Sequence, residues 1–152
     1  MRLKSPHNNG FTLVEILVVL TMLAFIAGFI VIGFQNYASY QQFNQAAGDI
    51  EFALKQTRLN ARSAVVDQPH GIHFSADSIT QFYGGTYSAV DPSNEVIQYE
   101  LVTIDPTLTG GVDTIIFGKL TGLPSATGTV VVSGTRFSAS TTISITDTGV
   151  IQ

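Results

Sequence analysis

Residues 11–34 read FTLVEILVVLTMLAFIAGFIVIGF, and 19 of these 24 positions are Ala, Val, Ile, Leu, Met or Phe. Glu15 is the only charged residue among them. An apolar run of about 20 residues spans a bilayer as a helix, so a purely soluble cytoplasmic protein is excluded. The carboxylate is the anomaly. Inside a spanning helix it costs about 2.5–3.5 kcal/mol on insertion scales, and a plain anchor gains nothing from it. Glu15 stands four residues past Phe11, about one helical turn. Two readings stay open on residue chemistry alone. Glu15 pairs with a cation at the start of a neighbouring subunit's helix, or it is an interfacial carboxylate tolerated by snorkelling or protonation. If the chain were cut between Gly10 and Phe11, the new α-amine of Phe11 would supply such a cation.

Upstream, Met1–Gly10 reads MRLKSPHNNG, with Arg2 and Lys4 and no acid. Positive charge flanking a span stays in the cytoplasm, which puts the N-terminus inside and residues from about 35 onward outside. A secretory signal would end its apolar core after about 7–15 residues, before a small-x-small cleavage site. This run is longer, and no convincing Ala-x-Ala follows it.

Gly10-Phe11-Thr12-Leu13-Val14-Glu15, opening an apolar helix after a short basic leader, resembles the type IV prepilin signal shared by type IV pilins and type II secretion pseudopilins. The resemblance implies a prepilin peptidase that cleaves after Gly10 and methylates the amine of Phe11. It implies polymerisation with other pilin or pseudopilin subunits into a filament cored by these helices, with Glu15 paired to a neighbour's amine. It implies membrane lipid around the span before assembly, and an inner-membrane assembly platform. The family often carries Pro at the twenty-second mature position. Here that residue is Ile32, and Gly28 and Gly33 are the nearby helix breakers.

The helical pattern continues beyond the span. Tyr40, Phe43, Ala47, Ile50, Leu54, Thr57, Ala61 and Ala64 recur at alternating steps of three and four, which marks one buried face. Pro69 biases Gln68 away from helix, so the spacing predicts a helix over 12–66, roughly 80 Å long at 1.5 Å per residue. Glu51, Lys55, Arg58 and Arg62 fall on an outer face. Solvation explains that stripe; the sharper reading is contact with an acidic patch on the next subunit.

Residues 70–152 read as strands: 70–75 and 78–85 as a hairpin about Ala76-Asp77, then 96–104, 113–119, 127–134 and 141–149. Alternation in 96–104 puts Ile97, Tyr99 and Leu101 on one face and Gln98 and Glu100 on the other. The expected class is α+β, a long helix packed on a C-terminal antiparallel sheet. The domains are a leader (1–10), a transmembrane or filament-core helix (11–34) and a globular part (35–152). The segments ARSAVVDQPHGIHF (61–74), IIFGKLTGLPSATGTVVVS (115–133) and ISITDTGVIQ (143–152) resemble the H-type minor pseudopilins and their FimT-like type IV pilus relatives.

The 152-residue chain is 12% charged, with net charge −4 and no Cys. That excludes disulfides and thiol chemistry, and argues against a nucleic-acid binder driven by overall charge. Without Arg2 and Lys4, five cations face eleven acids. In the FimT-like branch some relatives bind DNA through arginines beside the final Gly; here Thr148-Gly149-Val150-Ile151-Gln152 has no basic residue, so DNA binding is not expected. No nucleotide-binding or hydrolase motif occurs, and no enzyme, cofactor or metal is expected. His70 and His73 read as exposed loop-edge residues rather than a metal pair, and Asp91–Glu95 as a turn rather than a calcium loop. The leading expectation is a minor pilin or pseudopilin in the cytoplasmic membrane and then in a filament. A major pilin, and a filament-tip subunit that binds a ligand or DNA, are the alternatives.

Overall fold

The computed structural model describes residues 11–136 and 138–152, without the side chains of 31–36. The chain divides into two compact units, Met1–Ala38 and Ser39–Gln152. Helix α1 covers Leu13–Ser63.

The helix ends three residues before the sequence expectation, and the cause is local. Ala64 takes a left-handed φ of 48°. The Val65 amide then donates to Asn60 O and the Ala64 amide to Ala61 O, both at 3.4 Å. This pair of bonds is the Schellman arrangement, which satisfies carbonyls that the last turn leaves open. Leu120 N donates to Ala61 O as well, at 2.9 Å. Glycine is the usual residue at the left-handed position, because a Cβ there meets the backbone. Ala64→Gly should therefore stabilise the second unit by about 0.5–1 kcal/mol. A denaturant titration showing no rise in midpoint would count against a strained helix end.

In the second unit α1 buries Phe43, Ala46, Ala47, Ile50, Ala53, Leu54, Thr57 and Ala61. The expected stripe holds from Phe43 to Ala61, and Ala46 and Ala53 widen it. Tyr40 is exposed and Ala64 half-buried. Four of the eight buried positions are Ala, so the helix backbone can approach the strands closely.

Among the described residues seven strands follow, in two antiparallel sheets. Strands β1 (His70–Phe74), β2 (Ser78–Tyr83), β3 (Glu95–Gln98) and β5 (Thr114–Phe117) form one, in the order β3-β2-β1-β5. Strands β4 (Val102–Leu108), β6 (Gly128–Gly134) and β7 (Ser140–Ile145) form the other, in the order β4-β6-β7. The hairpin about Ala76-Asp77 is present, with Phe74 opposite Ile79. Ile72, Phe74, Ile79, Ile115 and Phe117 from the first sheet and Val130, Val132, Ile143 and Ile145 from the second join the helix residues in one core. Pro106 is accommodated because β4 is an edge strand, where a missing N–H breaks no ladder.

The single strand expected over 96–104 is two strands in two sheets. Leu101 has φ 63°, and this break reverses the alternation. Ile97 and Tyr99 face inward before it; Val102 and Ile104 are buried after it. A period-2 pattern cannot continue through a left-handed residue, since the turn shifts which face each later side chain meets.

Candidate functional site

Phe11 lies just before α1 and is exposed, and Glu15 sits in the helix's first turn. Gly10, the residue expected before the cut, and the basic leader lie outside the described residues. Thr12 is the N-cap. Its Oγ1 accepts from the Glu15 amide at 3.2 Å, and its carbonyl accepts from Ile16 N at 3.2 Å. The Thr-x-x-Glu spacing is that of a capping box, so Glu15 is placed where a carboxylate also meets the positive end of the helix dipole. This role for Thr12 is absent from the sequence reading above, although Thr12-Leu13-Val14-Glu15 carries the signal for it.

Beyond Glu15 the helix is apolar on every side, and its residues from Leu13 to Ile30 are all exposed. That segment has a mean hydropathy of 2.7 and is long and apolar enough to cross a membrane. A helix apolar all round needs lipid or other helices about it. Thr21 is no exception, because its hydroxyl donates to Val18 O at 2.8 Å. Between Ala24 and Gly28 lies an open notch, flanked by Phe25 and Phe29. Small residues four apart allow close approach of a second helix.

In the second unit the expected outer stripe is only partly solvated. Lys55 pairs with Glu51 on the helix surface. Arg58 instead turns inward: Nε donates to Gly122 O at 3.2 Å, and a terminal guanidinium nitrogen donates to Thr148 O at 2.7 Å. Gly149, with φ 76°, passes so close that a Cβ would lie 2.7 Å from Arg58 Nε. Arg58 is thus engaged within its own chain, because the helix lacks a carboxylate partner for it and two turns offer carbonyls.

His70 is buried rather than exposed at a loop edge. Its ring meets Tyr83 edge-on at 4.9 Å, its Nδ1 lies 3.1 Å from Gln68 O, and burial lowers its pKa. His73 stacks on Tyr87 at 4.0 Å, with Nδ1 3.0 Å from Thr114 Oγ1. Asp91 forms a turn, accepting from the amide and hydroxyl of Ser93, and these bonds lower its pKa. Among the described residues no group of three or more His, Asp or Glu could hold a metal ion.

No curated protein and no solved structure matches the chain. A family model described as the prokaryotic N-terminal methylation motif matches residues 5–31. The match takes in the basic leader's end, the capped helix start and the exposed apolar segment. The chain therefore carries the N-terminal methylation motif of type IV pilin-like proteins, on an α+β frame with one long apolar-headed helix.

Proposed function

We propose that the protein is a minor pilin or pseudopilin, built as a prepilin and polymerised through the apolar head of α1. The observation that carries this reading is a capped helix start with Glu15 in its first turn, heading a fully exposed apolar segment inside the methylation motif. Prepilin peptidase cuts between Gly10 and Phe11 and methylates the Phe11 amine. Arg2 and Lys4 hold the uncut end in the cytoplasm, and the strands lie on the other side of the membrane. Lipid covers the span until other subunits' helices replace it, with the Ala24–Gly28 notch admitting one of them. Glu15 then pairs with a neighbour's methylated amine and fixes axial position. Segments 61–74, 115–133 and 143–152 support assignment to the H-type or FimT-like branch.

Intact mass spectrometry of the protein from cells with an active prepilin peptidase tests this. The expected mass lacks residues 1–10 and gains one methyl group. A product that still carries Met1 would overturn the reading. Gly10→Leu should leave the leader attached.

A further inference from the structure

Strand β3 is an edge of its sheet, and it borders a groove floored by α1. Tyr99 N donates to Asp77 O at 2.8 Å, continuing the β2–β3 register. Backbone direction alternates along a strand, so Glu95 and Ile97 also point their N–H and C=O toward β2. The N–H and C=O of Val96 and Gln98 therefore point to the open side. Beside this edge run two adjoining hollows of about 310 and 260 Å³, which share Asp49, Ile97 and Tyr99. Asp49, Glu95 and Glu100 line them, and neither lining includes a Lys or Arg. The Tyr99 hydroxyl is buried there with no hydrogen-bond partner among the described residues. Burial and the Asp49 charge push its pKa up to about 12, so the ring adds no negative charge of its own to the groove.

We propose that this edge and groove take an extended, basic peptide segment of another protein, which adds to β3 as a further antiparallel or parallel strand. Main-chain bonds form to Val96 and Gln98, as in strand addition generally. Alternate side chains of the guest face the helix, where Lys or Arg meets Asp49 and Glu95. A second copy of this chain fits poorly. It carries seven cations against eleven acids, and Lys55, Lys119 and Arg58 already have partners on their own chain. The other sheet ends are less open. Gln152 pairs with Ser144 beside β7, and Ser125 bonds to Ile116 beside β5. The inference goes beyond the filament reading and does not depend on it.

The test uses the full chain in neutral detergent and a fluorescent heptapeptide of alternating Lys and Val, followed by anisotropy at about 150 mM salt, where surface attraction alone is largely screened. Four probes are compared: the parent, two versions N-methylated at alternate backbone amides, one in each phase, and a Glu/Val counterpart. The parent should bind, methylation in one phase should weaken it about tenfold or more, and the Glu probe should not bind. Asp49→Asn with Glu95→Gln should weaken the parent probe and flatten its salt dependence. Val96→Pro, which removes an outward N–H, should weaken it without moving the far-UV spectrum. Equal binding of all methylated and unmethylated Lys probes would overturn the proposal, as would no binding at millimolar peptide. Self-association of the full chain that Val96→Pro abolishes would also overturn it, in favour of a second copy. The mass of the same preparation reports leader removal separately, so the two readings fail independently.

Discussion

Ile50→Asp should abolish cooperative folding of the second unit. Ile50 is 0% exposed, in the middle of the helix face that meets both sheets' core residues. Removing a buried Ile costs about 2–5 kcal/mol through lost burial and the space left behind. An unpaired carboxylate there adds several kcal/mol more, or protonates at a similar cost. The sum is comparable with the roughly 5–15 kcal/mol that holds a domain of this size together. No disulfide can compensate, since the chain has no Cys. A fragment of residues 36–152, without the span, is the convenient material, and circular dichroism with urea is the measurement. Asn44→Asp, on the exposed side of the same helix, is the control and should leave the midpoint nearly unchanged. A variant at position 50 as stable as its parent would mean that the helix does not pack where the structure puts it.

Glu15→Val should insert into membranes at least as well as the parent and yet fail to assemble. The substitution removes a charge from an apolar segment, which favours insertion. Breaking a buried ion pair costs about 3–5 kcal/mol, which is a hundredfold or more in an association constant. The Thr-x-x-Glu spacing offers Glu15 a second role at the helix start, and Glu15→Gln separates the two. Gln serves a capping box as Glu does, but carries no charge. If charge fixes the register between subunits, Gln and Val should both fail in sheared-filament yield. A Gln variant that assembles like the parent would show that the first turn needs only its cap, and the pairing role would be wrong.

The long helix was legible because its two halves leave different signatures: residues 11–34 are apolar on every side apart from Glu15, and Phe43 to Ala61 repeat at helical spacing. Its last turn was less so. Ala64 in a left-handed cap has no sequence mark, since glycine is the residue that announces that geometry. The same blindness hid the break at Leu101, where a large apolar residue sits at positive φ and the period-2 pattern on either side looked continuous. Arg58 read as solvated because helical spacing shows which face a residue occupies, whereas the carbonyls it reaches belong to turns 64 and 90 residues away. Of the candidate site, Gly10, Phe11 and Glu15 were readable as a motif. Thr12 carried an equally local signal, overshadowed by the charge next to it.

The bond from Arg58 to Thr148 O spans 90 residues and joins the helix to the chain's last turn. Ile151 is buried and bridges Ile145 close by. Contacts of such long sequence separation form late, because the intervening loop must close before they give any return. A chain that emerges N-terminus first therefore cannot complete this unit until Thr148 and Ile151 have left the ribosome. Until then the helix at Arg58 lacks part of its cover. Emergence of residues 148–151, rather than of the helix, thus sets the earliest moment at which this unit can acquire its final surface.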